Sequence, residues 1–176
     1  MSSNLQPFEL FGGAVQLFLP PHLRDFSLDR PLPDNQEVFV DLSPTGRGTV
    51  FICEIVETPE SPSDFSNFHY LDLADANGIS NPIIASTERL EQNFISVDFP
   101  YEAEYLKGTG SIESYVYEED REEVRDLWTY LLTIRIPSKS TDILIYITDG
   151  TINHSYESIF RTIIKSIKID CSKLGL

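Results

Sequence analysis

The chain has 176 residues, 41% of them hydrophobic and 23% charged, with a formal charge of −15 at pH 7. That length and composition fit one folded domain over residues 1–176, with enough chain to bury a core. The acidity argues against nucleic-acid binding, which needs cations to displace the counterions around phosphate, and against docking on anionic lipid.

A basic protein surface is the better-suited partner, because complementary charge speeds encounter. The alternative is that the acidity serves solubility alone. The charge is uneven: residues 159–176 carry Arg161, Lys165, Lys168 and Lys173 against Asp170, a net of +3, so the rest of the chain carries −18. No apolar run approaches the roughly 18 residues that cross a bilayer. Residues 1–4 show no basic segment leading into an apolar one, so no secretory signal is expected. Without one, the glycosylation sequon at Asn153-His154-Ser155 carries no weight. Cys53 and Cys171 lie far apart in sequence, as two buried thiols in a reducing compartment would, and a disulfide between them stays open.

Taken in chain order, Gly12-Gly13 opens a strand over 14–19 that Pro20-Pro21 stops. Residues 23–28 suggest a short helical turn, followed by a rigid connection through Pro31, Pro33 and Asp34. Segment 37–41 alternates like a half-buried strand. A turn at 43–46 leads into the β-branched run 49–57, which should pair with it. Ser61-Pro62 reads as a helix start, with Phe65, Phe68 and Leu71 at helical spacing and Gly78 as terminator. Segment 83–99 is ambiguous, with a strand expected around 93–99, and 112–117 is another strand before the acidic tip 118–123. Residues 124–136 have helical local preference. They favour a strand, because 129–136 is aromatic, β-branched and closed by Pro137. A turn at 138–141 joins them to 142–148 as a hairpin. Finally Tyr156, Ile159, Phe160, Ile163, Ile164 and Ile167 fall on one helical face, the pattern of packing against a sheet. These elements predict an α+β domain around an antiparallel β-sheet.

Catalytic motifs do not emerge. His22, His69 and His154 are scattered, with no zinc spacing. Lys107-Gly108-Thr109-Gly110 is too short and wrongly ordered for a phosphate loop. Asp75-Ala76-Asn77-Gly78 mimics the start of a calcium loop, but its glycine comes two positions early. No Gly-x-Ser-x-Gly elbow is present, and the many carboxylates make no pair specific. The expectation is a chain with no metal, no cofactor and no catalytic residues of its own.

From Glu9 to Ala14 the sequence resembles the Ran guanine-nucleotide release factors, the MOG proteins. Asp25, Ser27 and Arg30, leading into Pro33-Asp34-Asn35-Gln36-Glu37-Val38-Phe39-Val40, are similar to the family's signature segment. Glu54-Ile55-Val56-Glu57 resembles a family strand with two acidic residues three apart. Phe68-His69 with Asp72-Leu73 looks like its first long helix, and Arg135 with 141–144 like its late hairpin. Residues 78–117 do not match, and no role is carried over to them. The resemblance implies a fold shared with PsbP-like proteins, an antiparallel sheet with helices packed on both faces. It also implies Ran binding, promotion of guanine-nucleotide release, a role in nuclear import, and residence in nucleus and cytoplasm as a monomer. The implied contact face comprises Asp25, Asp34, Asn35, Gln36, Glu37, Glu54 and Glu57.

Each of these residues also has a plainer reading. Asp34 can organise a turn, Glu37 can be a solvated strand face, and Asp25 can cap a short helix. Glu54 and Glu57 sit three apart, so a regular strand places them on opposite faces unless Glu57 lies at the strand end or a bulge intervenes. The competing functional reading is an acidic interaction module of the same fold that binds a different basic protein without nucleotide release. A PsbP-like photosynthetic subunit and an enzyme stand behind it.

Overall fold

A computed structural model describes residues 4–43, 48–60, 63–116, 121–150 and 156–175; for 114–116 and 121 it describes the backbone only. The β-branched and aromatic runs are strands, as their side chains favour on a pleated surface. In chain order these are β1 (Gln6–Leu10), β2 (Val15–Leu19), β3 (Leu23–Asp25), β4 (Gln36–Asp41), β5 (Val50–Glu57), β6 (Ser80–Leu90), β7 (Ser96–Val97), β8 (Glu102–Val116), β9 (Arg121–Ile136), β10 (Thr141–Asp149) and β11 (Lys168–Ile169). Two α-helices join them, α1 (Phe65–Ala76) and α2 (Tyr156–Lys165). No helix among the described residues is long and apolar enough to cross a membrane.

Seven strands form one sheet in the order β3-β4-β5-β10-β9-β8-β6, with every neighbouring pair antiparallel. One face packs Phe39, Phe51, Cys53, Tyr130, Leu132, Ile143 and Ile145 against Phe160, Ile163 and Ile164 of α2. That face also carries a second, four-stranded sheet, β1-β2-β11-β7, whose Val15, Leu17 and Ile169 join the same core. The opposite face holds a smaller cluster, Leu106, Leu131, Leu144 and Tyr146 beneath Tyr70 and Leu73 of α1. The architecture is therefore α+β with a helix on each face, and α2 shares its face with a second sheet that the sequence did not announce.

Several elements differ from their sequence reading. Residues 23–28 divide into β3 and a 3-10 turn, Phe26–Leu28, because Asp25 accepts the Ser27 N–H at 2.8 Å and starts the turn there. Segment 83–99 holds the second half of β6, an exposed edge strand with no apolar alternation to read, and the two-residue β7. Residues 112–116 of the strand expected at 112–117 are the far end of the 15-residue β8, and 117 lies outside the described residues. Phe68 and Leu71 are exposed, whereas α1 buries Phe65, Ser66, His69, Tyr70, Leu73 and Ala74. The apolar spacing pointed to the wrong face because two of the inward residues are polar and bonded to the sheet. The turn at 44–46, the helix start at Ser61-Pro62, the tip at 118–120 and the sequon at Asn153 lie outside the described residues.

Two glycine positions set the frame. Between β1 and β2 the chain reverses through Phe11, Gly12 and Gly13 at φ of 50°, 63° and 87°; the two glycines adopt this region without a Cβ penalty, whereas Phe11 enters it as a non-glycine residue. On β8, an added Cβ at Gly108 would lie 2.4 Å from Cζ of Tyr70, so glycine is what lets α1 seat its tyrosine on the sheet. The Tyr70 hydroxyl then donates to the Thr109 carbonyl at 2.8 Å. Cys53 and Cys171 are free, buried thiols.

Candidate functional site

α1 packs over β8, β6 and β9 and reaches Leu144 and Tyr146 of β10, which leaves the β4–β5 side of the same face less covered. A cleft of about 430 Å³ runs along that boundary. The strand register builds its floor. Gln36 pairs with Glu54, Glu54 with Leu144, and Ile52 with Tyr146, so these side chains form rows across three strands. Ile52, Val56, Leu144 and Tyr146 are the apolar base, and Phe68, His69, Asp72 and Leu73 of α1 form one wall. Gln36, Glu54, Glu57 and Pro59 line the rest.

Glu54 and Glu57 both reach this cleft. Glu57 is the last residue of β5, where the alternation of the strand no longer dictates its direction. Among the described residues neither carboxylate has a hydrogen bond or ion pair, and the same holds for Asp72 and for the Gln36 side chain. Asp34 and Asn35 form the turn that leads into Gln36, closed by the Gln36 N–H on the Pro33 carbonyl at 3.0 Å. Asn35 is spent on β5, its amide donating to the Ile55 carbonyl at 3.0 Å while its own carbonyl accepts the Ile55 N–H. Asp34 is exposed.

The other two candidates lie elsewhere. Glu37 pairs with Cys53 on the opposite face, and its Oε1 accepts the Phe11 N–H at 3.0 Å, tying the β1–β2 turn to the large sheet. Asp25 pairs with Phe39 on that same opposite side and caps its 3-10 turn through Ser27. The structure thus gathers Gln36, Glu54 and Glu57, keeps Asp34 and Asn35 beside them, and separates Asp25 and Glu37.

At the inner end of the cleft sits a saturated polar network. Asp142 on β10 is fully buried and accepts from Arg135 Nε at 2.9 Å, Arg135 Nη2 at 2.7 Å and Thr58 Oγ1 at 2.9 Å. His69 Nε2 lies 2.7 Å from its second oxygen. Burial by itself would raise the pKa of this carboxyl, but the hydrogen bonds from Arg135, His69 and Thr58 outweigh it and lower the value to about 2. The guanidinium of Arg135 also lies over the Phe65 ring, 4.4 Å from its centre. Two strands, a loop and a helix therefore meet on one carboxylate, which fixes the wall that α1 presents. Among the described residues no group of three His, Cys, Asp or Glu side chains could hold a metal ion.

Sequence reasoning missed Tyr146, Phe68 and Asp72 as cleft residues. Tyr146 sits inside a strand that reads as uninterrupted core, and the face of α1 was misjudged, so no local signal marks them.

The sequence model of the family described as Ran-interacting Mog1 protein matches residues 8–150. A Ran guanine nucleotide release factor from Danio rerio is 29% identical over 143 residues, covering 80% of this chain and 75% of its own length. The nuclear import protein mog1 of Schizosaccharomyces pombe is 38% identical over 78 residues, 43% of this chain and 40% of that protein. Among solved structures, the Ran-binding protein Mog1p of Saccharomyces cerevisiae superposes with a TM-score of 0.75 at 19% identity, covering 98% and 99% of the two chains. Cyanobacterial PsbP from Synechocystis superposes at 0.54 and 13% identity, covering 97% and 95%. Both likenesses concern the fold, and they bear out the PsbP-like architecture. The family match runs from within β1 to the end of β10 and so includes every residue that lines the cleft: the chain belongs to the Mog1 family of Ran-interacting proteins.

Proposed function

We propose that this chain binds the small GTPase Ran, promotes release of its guanine nucleotide, and thereby serves nuclear import. The observation that carries the reading is the family match, which spans the cleft where Glu54 and Glu57 have no hydrogen-bond or ion-pair partner among the described residues. Its contact surface centres on Gln36, Glu54 and Glu57, with Asp34 and Asn35 on the adjoining turn. Asp25 and Glu37 act on that surface through the framework, by holding the 3-10 turn and the β1–β2 turn. The protein works as a monomer in nucleus and cytoplasm, and as a regulator of a GTPase.

The chemistry follows from what a GTPase must hold. It grips its nucleotide through a lysine, a magnesium ion and backbone donors around the phosphates. Carboxylates offered by a docked partner compete for that lysine, or favour a switch conformation that no longer holds the ion. Release follows when the nucleotide-free state is bound more tightly than the loaded one. Unpaired acids suit this task, because their charge has not already been neutralised within their own fold.

The test is release of labelled GTP and GDP from Ran, with pull-down from each nucleotide state. The wild-type chain should accelerate release, and Glu54→Lys with Glu57→Lys should abolish both binding and acceleration. Binding without acceleration would make this a Ran partner that does not release nucleotide. Unchanged affinity after both reversals would move the contact surface away from the cleft.

A further inference from the structure

We infer that a groove at the end of α2 is a second docking site, and that it takes an acidic segment of another protein, whose carboxylates meet Lys165 and Lys168 while an apolar side chain lies on Phe18. The groove is on the α2 side of the large sheet, away from the cleft on the α1 side. The inference goes beyond the GTPase contact proposed above. It begins from the basic run that closes the sequence, which that contact leaves unused. Arg161 of this run is paired with Glu88 at 3.3 Å, and Lys173 with Asp170 at 3.6 Å. Lys165 and Lys168 are exposed and have no hydrogen bond or ion pair among the described residues. On a chain of charge −15, cations that collect no carboxylate from their own fold are the exception.

Both lysines line one open groove of about 560 Å³, and its lining holds no aspartate or glutamate. Asp98 and Asp170, which follow β7 and β11, are turned elsewhere: Asp98 accepts the Cys171 N–H at 2.8 Å, and Asp170 accepts the Ser172 hydroxyl and pairs with Lys173. The walls are fixed before a partner arrives. The Tyr101 hydroxyl donates to the Gln92 carbonyl and accepts the Ile95 N–H at 3.4 Å, which pins the loop that enters β7. Opposite it, the Phe18 N–H donates to Ser166 Oγ at 3.0 Å and ties β2 to the end of α2. Phe18 is 43% exposed and lines the groove with the half-buried Phe94 and Val97. β7 is the end strand of the small sheet. Ser96 and Asp98 spend their N–H groups on the Ile167 and Ile169 carbonyls at 3.2 and 3.3 Å, so the backbone of Val97 between them points outward. An extended segment can add along such an edge. An acidic peptide with an apolar residue thus matches the cations, the aromatic wall and the edge together. Nucleic acid and anionic bilayers fit less well, because their charge extends past the groove and meets the −18 carried by the rest of the chain. A short segment feels chiefly the two lysines, within a Debye length of about 8 Å.

Nuclear magnetic resonance titration of the full chain tests this without Ran. The probe is an acetylated peptide amide with a phenylalanine between pairs of glutamates, and the control replaces every glutamate by glutamine. The acidic probe should shift the backbone signals of Phe18, Val97, Lys165 and Lys168 saturably, with Gln36 and Glu54 of the cleft unmoved. Lys165→Ala with Lys168→Ala should weaken it about 10-fold, the scale of two exposed ion pairs. Both side chains are exposed, so the unfolding midpoint of this variant should match wild type. Its acceleration of nucleotide release from Ran should match as well, which keeps a failure of this inference separate from a failure of the GTPase reading. Equal shifts from the glutamine control, shifts confined to the cleft, or undiminished affinity in the double variant would each overturn the inference. Tighter binding of phosphatidylserine vesicles or of oligothymidylate than of the peptide would overturn the choice of occupant. So would self-association of the wild type in sedimentation that the double variant abolishes, since the groove would then hold a second copy of this chain.

Discussion

Asp142 and Glu54 stand on neighbouring strands of one sheet face, and their surroundings are opposite. Asp142 is fully buried, with every approach taken: two bonds from Arg135, one from Thr58 and a short contact with His69. Glu54 is half-buried in the cleft and has no hydrogen-bond or ion-pair partner among the described residues. Both positions are carboxylates on strands, and nothing in their residue type separates them. What separates them is saturation. A buried charge without partners is costly, so an acid that serves the fold collects donors, as Asp142 does. An acid left unpaired at the mouth of a cleft costs little while water reaches it, and stays available to a partner. α1 draws the boundary, since it covers β8, β6 and β9 and stops short of β4 and β5.

The largest effect expected from breaking this contrast is on the saturated side. Asp142→Ala leaves Arg135 and His69 buried without their anion, and should cost about 3–5 kcal/mol in denaturant unfolding. A loss under 1 kcal/mol would show that the network does not hold α1 to the sheet. Acid titration sharpens the same point. The folded-state pKa of Asp142, about 2, lies below the ordinary aspartate value of about 3.9. Its contribution is therefore fully present above about pH 4 and is lost as pH falls through about 2. Unfolding free energies of the wild type and of Asp142→Asn, measured across that range, should converge by roughly 2–3 kcal/mol. Parallel curves would remove Asp142 from the acid response. The smallest effect belongs to the open side: Glu54→Gln combined with Glu57→Gln should leave stability within about 0.5 kcal/mol of wild type. A clear destabilisation would mean that these acids serve the fold after all.

Much of the frame was legible in the sequence. The β-branched run that became β5 and its pairing with β4, the β9–β10 hairpin, and the amphipathic stripe of α2 all carry strong local periodicity. The end of α1 at Asn77 and Gly78 was legible for the same local reason, since Gly78 sits at φ +66°. The second sheet was not, because β7 and β11 are two residues each and exist only through pairing with distant segments. β6 was hidden by its exposure, which erases the alternation that reveals a strand.

For the candidate site, the sequence by itself supplied the acids, the Gln36–Asp41 and Val50–Glu57 strands that carry most of them, and the family to which they belong. Residue types and short-range periods are written along the chain, and they suffice for that much. Only the tertiary structure decided which acids share a face, that Glu37 and Asp25 turn to the framework, and that Tyr146 looks into the cleft. Those outcomes depend on strand register, on which side of the sheet a residue falls, and on how far one helix extends over it. Each is settled by contacts between segments far apart in sequence, where local propensity has no voice.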